Sequence, residues 1–272
     1  MMGATMQPVW VDAIGILGPG LAGWPAARAV LRGETPYAPT PPAIPPPSIV
    51  PPRDQRRCSN TVRLALQVAL ETVQSAGFDA AATPSVFAYT AGDGQVVHRL
   101  LTALGKPDKP VSPTDFHNSV HNAPAFYWAL GTGCAQASTS ISAARHCFAA
   151  ALLKAASQCI ADRTPVLMVC FDYPLPEPLA ASYPLAAPLG IGLALSPAES
   201  ARSLARIELS WHTDGGGAAA PPLLEALRPL WSGNPAGHGL PFLESIARSK
   251  SGDIALPGSP DAALRARVAC KP

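Results

Sequence analysis

The stretch Pro165–Phe171, PVLMVCF, admits few structural solutions. A strand of unbroken apolar residues must bury both faces, so helices have to cover its sheet on either side. Val9–Leu17, Ser85–Thr90, Ala137–Ser142, Leu189–Leu195 and Ser203–Trp211 read as further strands. Helical patterns lie among them. Asn60–Ala76 carries an apolar stripe of Val62, Leu66, Ala69, Leu70 and Val73, with Ser59 or Asn60 as cap and Gly77 as stop. Gly23–Leu31, Gln95–Leu104, Asp115–Leu130 with Pro124 kinking it or starting a new segment, Ala143–Ser157 and Leu223–Leu230 complete the set. The expectation is an α/β layered domain with a mixed, mostly parallel sheet and helices on both faces. It should occupy residues 1–215, with 216–272 a short helical extension and a poorly ordered tail from Ser249. Trp211-His212 followed by Asp214-Gly-Gly-Gly reads as a strand end and a loop.

Between Thr35 and Arg53 the chain reads TPYAPTPPAIPPPSIVPPR. Proline fixes φ and removes donors, so this segment is an extended surface connector. A docking ligand for a proline-binding module is the sharper alternative.

Hydrophobic residues make up 48% of the chain and charged residues 14%. Much of the surface is therefore apolar, and a partner subunit is the natural cover for part of it. The net charge of +2 gives no electrostatic case for nucleic acid or an anionic membrane. No apolar run reaches the length of a membrane span, and Asp12 interrupts the one apolar stretch near the N-terminus. The 6 cysteines (58, 134, 147, 159, 170, 270) form no regular framework. They read as reduced, mostly buried thiols of a cytoplasmic protein.

Three places carry possible chemistry. His117 and His121 stand one helical turn apart and offer two metal ligands, but no third ligand is near. The competing reading is that the His-Asn pairs hydrogen-bond the turn around Pro124, and no metal is expected. Cys134 follows Thr-Gly, yet the strand Ala137–Ser142 comes after it, whereas a catalytic cysteine belongs where a strand ends and a helix begins. That elbow falls at Ser142–His146, with Ala144 and Arg145 at its tip. Gly92 and Gly94 in TAGDG lack the spacing of a nucleotide-binding motif and read as a tight turn.

From Val9 to Ser196 the sequence resembles the N-terminal half of β-ketoacyl synthases, of thiolase-like fold. It is most similar to the short members of that family in aryl polyene and xanthomonadin-type pigment clusters. VDAIGILGPGLAGWPAARAVLRG resembles the opening strand, glycine turn and helix, and SVFAYTAGDG the second strand and its turn. SPTDFHNSVHNAPAFYWALGTG resembles the signature helix of the short family. STSISAARHCFAAALLKAASQ followed by PVLMVCFDYPLPEPL resembles the elbow, its helix and the next strand.

The resemblance implies that the nucleophile's position is occupied by Arg145. It also implies that two histidines from a C-terminal half, with Gly-Thr-x-Thr-x-x-Gly-Asp and Asn-x-Phe-Gly-Phe-Gly-Gly stretches, should be present for condensation. Neither stretch occurs here, and His117 and His121 lie in the wrong half to substitute. The implied role is a non-catalytic, chain-length-factor-like subunit without cofactor, paired with a full-length ketosynthase and served by acyl carrier protein. Asn122, Phe126, Trp128, Ser140, Arg145 and Phe148 are the expected tunnel or interface residues. The aromatics, Tyr127 included, could equally be core. Two alternatives stand beside this: an acyltransferase using Cys134 or Cys147, and a purely structural assembly subunit.

Overall fold

The computed structural model describes residues 5–213, 221–259 and 262–271. Strand β1 (Val9–Gly18) turns through the short β2 (Leu21–Ala22) into α1 (Trp24–Arg32). After the proline-rich connector come α2 (Pro52–Gln55), α3 (Asn60–Ala76), β3 (Ser85–Ala88) and α4 (Gly94–Leu104). Then follow α5 (Pro113–Asn118), α6 (Ala123–Thr132), β4 (Ser138–Ile141), α7 (Cys147–Asp162) and β5 (Val166–Asp172). The chain continues with α8 (Leu179–Ser182), β6 (Leu189–Ser196), β7 (Ala205–His212), α9 (Arg228–Gly233), α10 (Leu240–Ala247), β8 (Gly252–Ser259) and β9 (Ala262–Cys270).

One mixed sheet runs in the order β4-β3-β5-β6-β1-β7-β9-β8, with β2 alongside β1. In β5 the reason for the unbroken apolar run is visible. Val166, Met168 and Cys170 face the layer containing α1, α7 and α10, while Leu167, Val169 and Phe171 face the layer of α3 and α6. Helix α3 lies low over the sheet centre. A Cβ at Gly15 or Gly192 would collide with the Thr72 hydroxyl, so the two glycines are what admit it. Thr72 turns that hydroxyl back onto its own helix, donating to the Val68 carbonyl at 2.7 Å. Ser59 caps α3 by accepting the Val62 N–H.

The sheet is mixed and covered on both faces, but parallel pairing is confined to β3 with β4 and β5. The other described pairs are antiparallel, which corrects the expected parallel majority. An apolar run reports burial on both faces and says nothing about strand direction. Here β5 returns to β6 through a proline-containing loop with one short helix, so the two strands run antiparallel.

The C-terminal region also differs from expectation. In place of a poorly ordered tail, α10 is followed by the hairpin β8–β9, which extends the sheet beyond β7. Ala263, Leu264, Ala266 and Val268 of β9 are buried. The alternation of Leu264, Ala266 and Val268 with Arg265 and Arg267 is a period-2 strand signal that the expectation of a poorly ordered tail passed over. The expected boundary after residue 215 and the Asp214-Gly-Gly-Gly loop fall at 214–220, outside the described residues. Among the described residues no helix is long and apolar enough to cross a membrane.

The proline-rich connector is extended, as its composition requires, and it is tied down. Gly20 donates its N–H to the Thr40 carbonyl at 2.9 Å, and Val50 is buried beside α3 and α6.

Candidate functional site

The chain bends sharply between β4 and α7. Ala144 adopts a left-handed backbone conformation, φ 46°. A small side chain keeps the strain of that conformation low. Residues Ala144–His146 form a single 3-10 turn, and α7 starts at Cys147. The bend is held from three sides. Ser142 donates its hydroxyl to the Thr90 carbonyl at 2.8 Å, and the Thr90 hydroxyl reaches the Ala144 carbonyl at 3.1 Å and Asp172 Oδ2 at 3.0 Å. From the C-terminal region, His238 donates Nδ1–H to the Arg145 carbonyl at 2.7 Å.

Arg145 is exposed at the tip of this bend. The nearest thiol, Cys147, points away from solvent and is fully buried. Its sulfur accepts the Ala143 N–H at 3.2 Å and meets the Thr90 hydroxyl at 3.4 Å, with no imidazole among its partners. Burial pushes the thiol up from its ordinary value, and the Thr90 and Ala143 hydrogen bonds offset this only in part. A thiol held protonated in apolar surroundings is a poor nucleophile. Cys134 lies elsewhere, between α6 and β4, partly buried with its sulfur 3.5 Å from the Thr83 carbonyl.

Behind the bend, Asp172 is buried and accepts the Thr90 N–H at 2.8 Å. Desolvation dominates there and pushes its carboxyl up to about 7, against the pull of its hydrogen bonds from Thr90 and Ala91. Burial likewise lowers His238 below an ordinary imidazole, and the nearby charges of His146 and Arg145 lower it further.

The signature segment divides into two helices, not one kinked helix. Helix α5 ends at Asn118, and α6 begins after Asn122 with Pro124 in its first turn, where a missing N–H costs nothing. Asn118 is the buried polar link: its Nδ2–H donates to the Arg57 carbonyl at 2.7 Å, and its Oδ1 accepts the Tyr127 hydroxyl at 3.0 Å. Asn122 stands at the N-cap of α6, exposed, with no side-chain cap bond. His121 stacks on Tyr89 with ring centroids 4.2 Å apart, and His117 sets its edge on Phe126 at 4.9 Å. Both imidazoles are thus engaged with aromatic rings. Among the described residues, no three His, Cys, Asp or Glu side chains gather as metal ligands.

The expected aromatic wall is split. Trp128 and Tyr127 are buried beside Phe87 and α3, and Phe148 is buried on the other face of the sheet against Phe242. Only Phe126 reaches the surface, at 42% exposure. Leu101 and Leu104 of α4, Phe116 of α5, Val120, and Leu130 of α6 are exposed as well. Ser140 sits in β4, the last strand of the sheet on that side. The structure therefore brings Arg145 and the β4 edge together at one end of the sheet, and sends Trp128 and Phe148 into the core.

The family model of the β-ketoacyl synthase N-terminal domain matches residues 29–230. The chain belongs to that family. Its fold is thiolase-like, and solved ketosynthase assemblies carry it at low identity. A chain of the ketosynthase ApeO in complex with its chain length factor ApeC, from Xenorhabdus doucetiae, superposes with a TM-score of 0.70 at 17% identity, covering 98% of this chain and 99% of that one. A chain of the ishigamide ketosynthase/chain length factor gives 0.71 at 14% identity, over 98% and 100%. A chain of AntDE:AntF, a type II PKS acyl-carrier protein in complex with its ketosynthase bound to the hexaketide, gives 0.71 at 11% identity, over 100% of each. Identity this low speaks for the fold alone. No curated protein matches the sequence.

Thr90, Asp172, Tyr183 and His238 surround the bend and were not legible as site residues. Thr90 and Asp172 were visible only as the polar ends of two apolar strands. His238 lies in a glycine-rich stretch, GHGLPF, without periodicity.

Proposed function

We propose that this chain is a non-catalytic, chain-length-factor-like partner of an active ketosynthase. The pair would work in a type II, fatty-acid-like pathway of the aryl polyene or xanthomonadin kind, with intermediates on acyl carrier protein. Decarboxylative condensation takes place on the partner's cysteine. The observation that carries the reading is the chemistry of the bend: a guanidinium is exposed there, and the adjacent thiol is buried and held protonated.

The edge of the sheet supports a partner at this end. Ser85 N–H bonds the Ala137 carbonyl, and Tyr89 N–H bonds the Ile141 carbonyl. Alternate residues of a parallel strand bond to the same neighbour, so Ser138 and Ser140 turn their backbone groups outward. An edge strand without charge or proline is suited to pairing with another chain. The matched chains of the ketosynthase/chain length factor assemblies are also of nearly this length.

Co-expression with a full-length ketosynthase, followed by purification and condensation assays with loaded acyl carrier protein, tests the reading. Co-purification, with activity unchanged by Cys134→Ala and Cys147→Ala, supports it. A stable acyl thioester on this chain, abolished by either substitution, overturns it in favour of an acyltransferase. If the complex forms but trimming or enlarging Phe126 leaves product length unaltered, the chain is an assembly subunit only.

A further inference from the structure

A second feature of the bend is independent of any partner. Beside Arg145 lies a cleft of ≈ 70 Å³, walled also by Ser182, Tyr183, Ser232, Pro235 and His238. None of the residues lining it is acidic. The nearest buried carboxyl, Asp172, is bonded to Thr90 and does not form part of the wall. The guanidinium makes itself felt on both sides of the cleft. Tyr183 is raised chiefly by burial, with Thr90 and Arg145 pulling it back down, and His238 is lowered by burial and by Arg145 among others.

We infer that this cleft binds a small oxyanion, a carboxylate or a phosphate group, through the Arg145 guanidinium. A guanidinium offers a planar fork of donors matched to either group. A water needs roughly 10–15 Å³ of such space, so the cleft holds a group a few atoms across and is too small for an acyl chain. Its shape is fixed by elements far apart in sequence. His238 pins the Arg145 backbone, and the Tyr183 and Ser232 walls come from the segments around α8 and α9. The Ser232 hydroxyl is already spent on the Arg228 carbonyl and the Tyr183 hydroxyl is bonded to Thr90, so the Arg145 guanidinium and the Ser182 hydroxyl are the groups that would meet the ligand.

The test is titration of the full chain with malonate, acetate and inorganic phosphate, each at constant ionic strength made up with chloride and followed by calorimetry or amide chemical shifts. Saturable binding, weakened at least about tenfold by Arg145→Gln and untouched by Arg28→Gln in α1, which does not line this cleft, supports the site. Ser182→Ala should weaken it by a smaller factor. A preference for malonate or acetate over phosphate, or the reverse, decides between a carboxylate and a phosphate source. Binding no stronger than chloride, or equal in the wild type and Arg145→Gln, overturns the inference. Neither result bears on whether the chain pairs with a ketosynthase.

Discussion

The sheet has two free edges, and they are built differently. At one end β8 carries Asp253, which pairs with Arg267, and Pro257. A charge and a proline are the common devices that keep an edge strand from recruiting another chain. At the other end β4 is Ser138-Thr139-Ser140-Ile141, with neither device. The contrast teaches that the β8 edge is finished within this chain. The β4 edge lacks both devices, as the proposed pairing with another chain requires.

The largest expected effect comes from breaking the open edge. Ser140→Pro removes an outward-facing N–H while sparing the bonds from β3 to Ala137 and Ile141. It should abolish co-purification with the ketosynthase while circular dichroism and thermal melting still report a folded chain. Retained association would remove the edge from the interface.

Next comes the apolar rim. Phe116→Asp together with Phe126→Asp should weaken the complex by about 10- to 100-fold in Kd, since exposed aromatics are frequent anchors of interfaces. The folded chain should lose little stability, because both rings already face water.

The third prediction sharpens the comparison on the bend side. Asp172 has a folded value of about 7, above its ordinary carboxyl value. The folded state therefore binds this proton more tightly than the unfolded chain does. That stabilising contribution is complete below about pH 4 and is lost as pH rises to about 7. Asp172→Asn should flatten the difference in urea-unfolding free energy across that window. An unchanged pH profile would mean that the carboxyl is ionised throughout.

The smallest effect belongs to the closed edge. Asp253→Asn breaks an exposed ion pair of the kind worth roughly 0–1 kcal/mol and should leave assembly unaltered. A loss of association there would reverse the reading of the two edges.

Much of this architecture could be read from residues close in sequence. Helix α3 matches the stripe from Val62 to Val73 and its serine cap, because helix periodicity and capping are local. The two-faced burial of β5 follows from seeing Val, Leu and Phe without interruption. The bend at Ala144 and Arg145 was legible because a strand pattern ends there and a helix pattern begins. The C-terminal hairpin was missed although Leu264–Val268 alternates apolar residues with arginine, because alanine is a weak strand former and the burial of β9 depends on β7 lying beside it.

What the sequence by itself determined was most of the elements before the C-terminal hairpin, the two-sided burial of β5, and the guanidinium at the bend. What only the tertiary structure decided was strand direction, which aromatics are core, and the company Arg145 keeps. Those depend on contacts between residues far apart in the chain. Thr90, Asp172, Tyr183 and His238 converge because the sheet and its C-terminal cover bring four separate segments to one end.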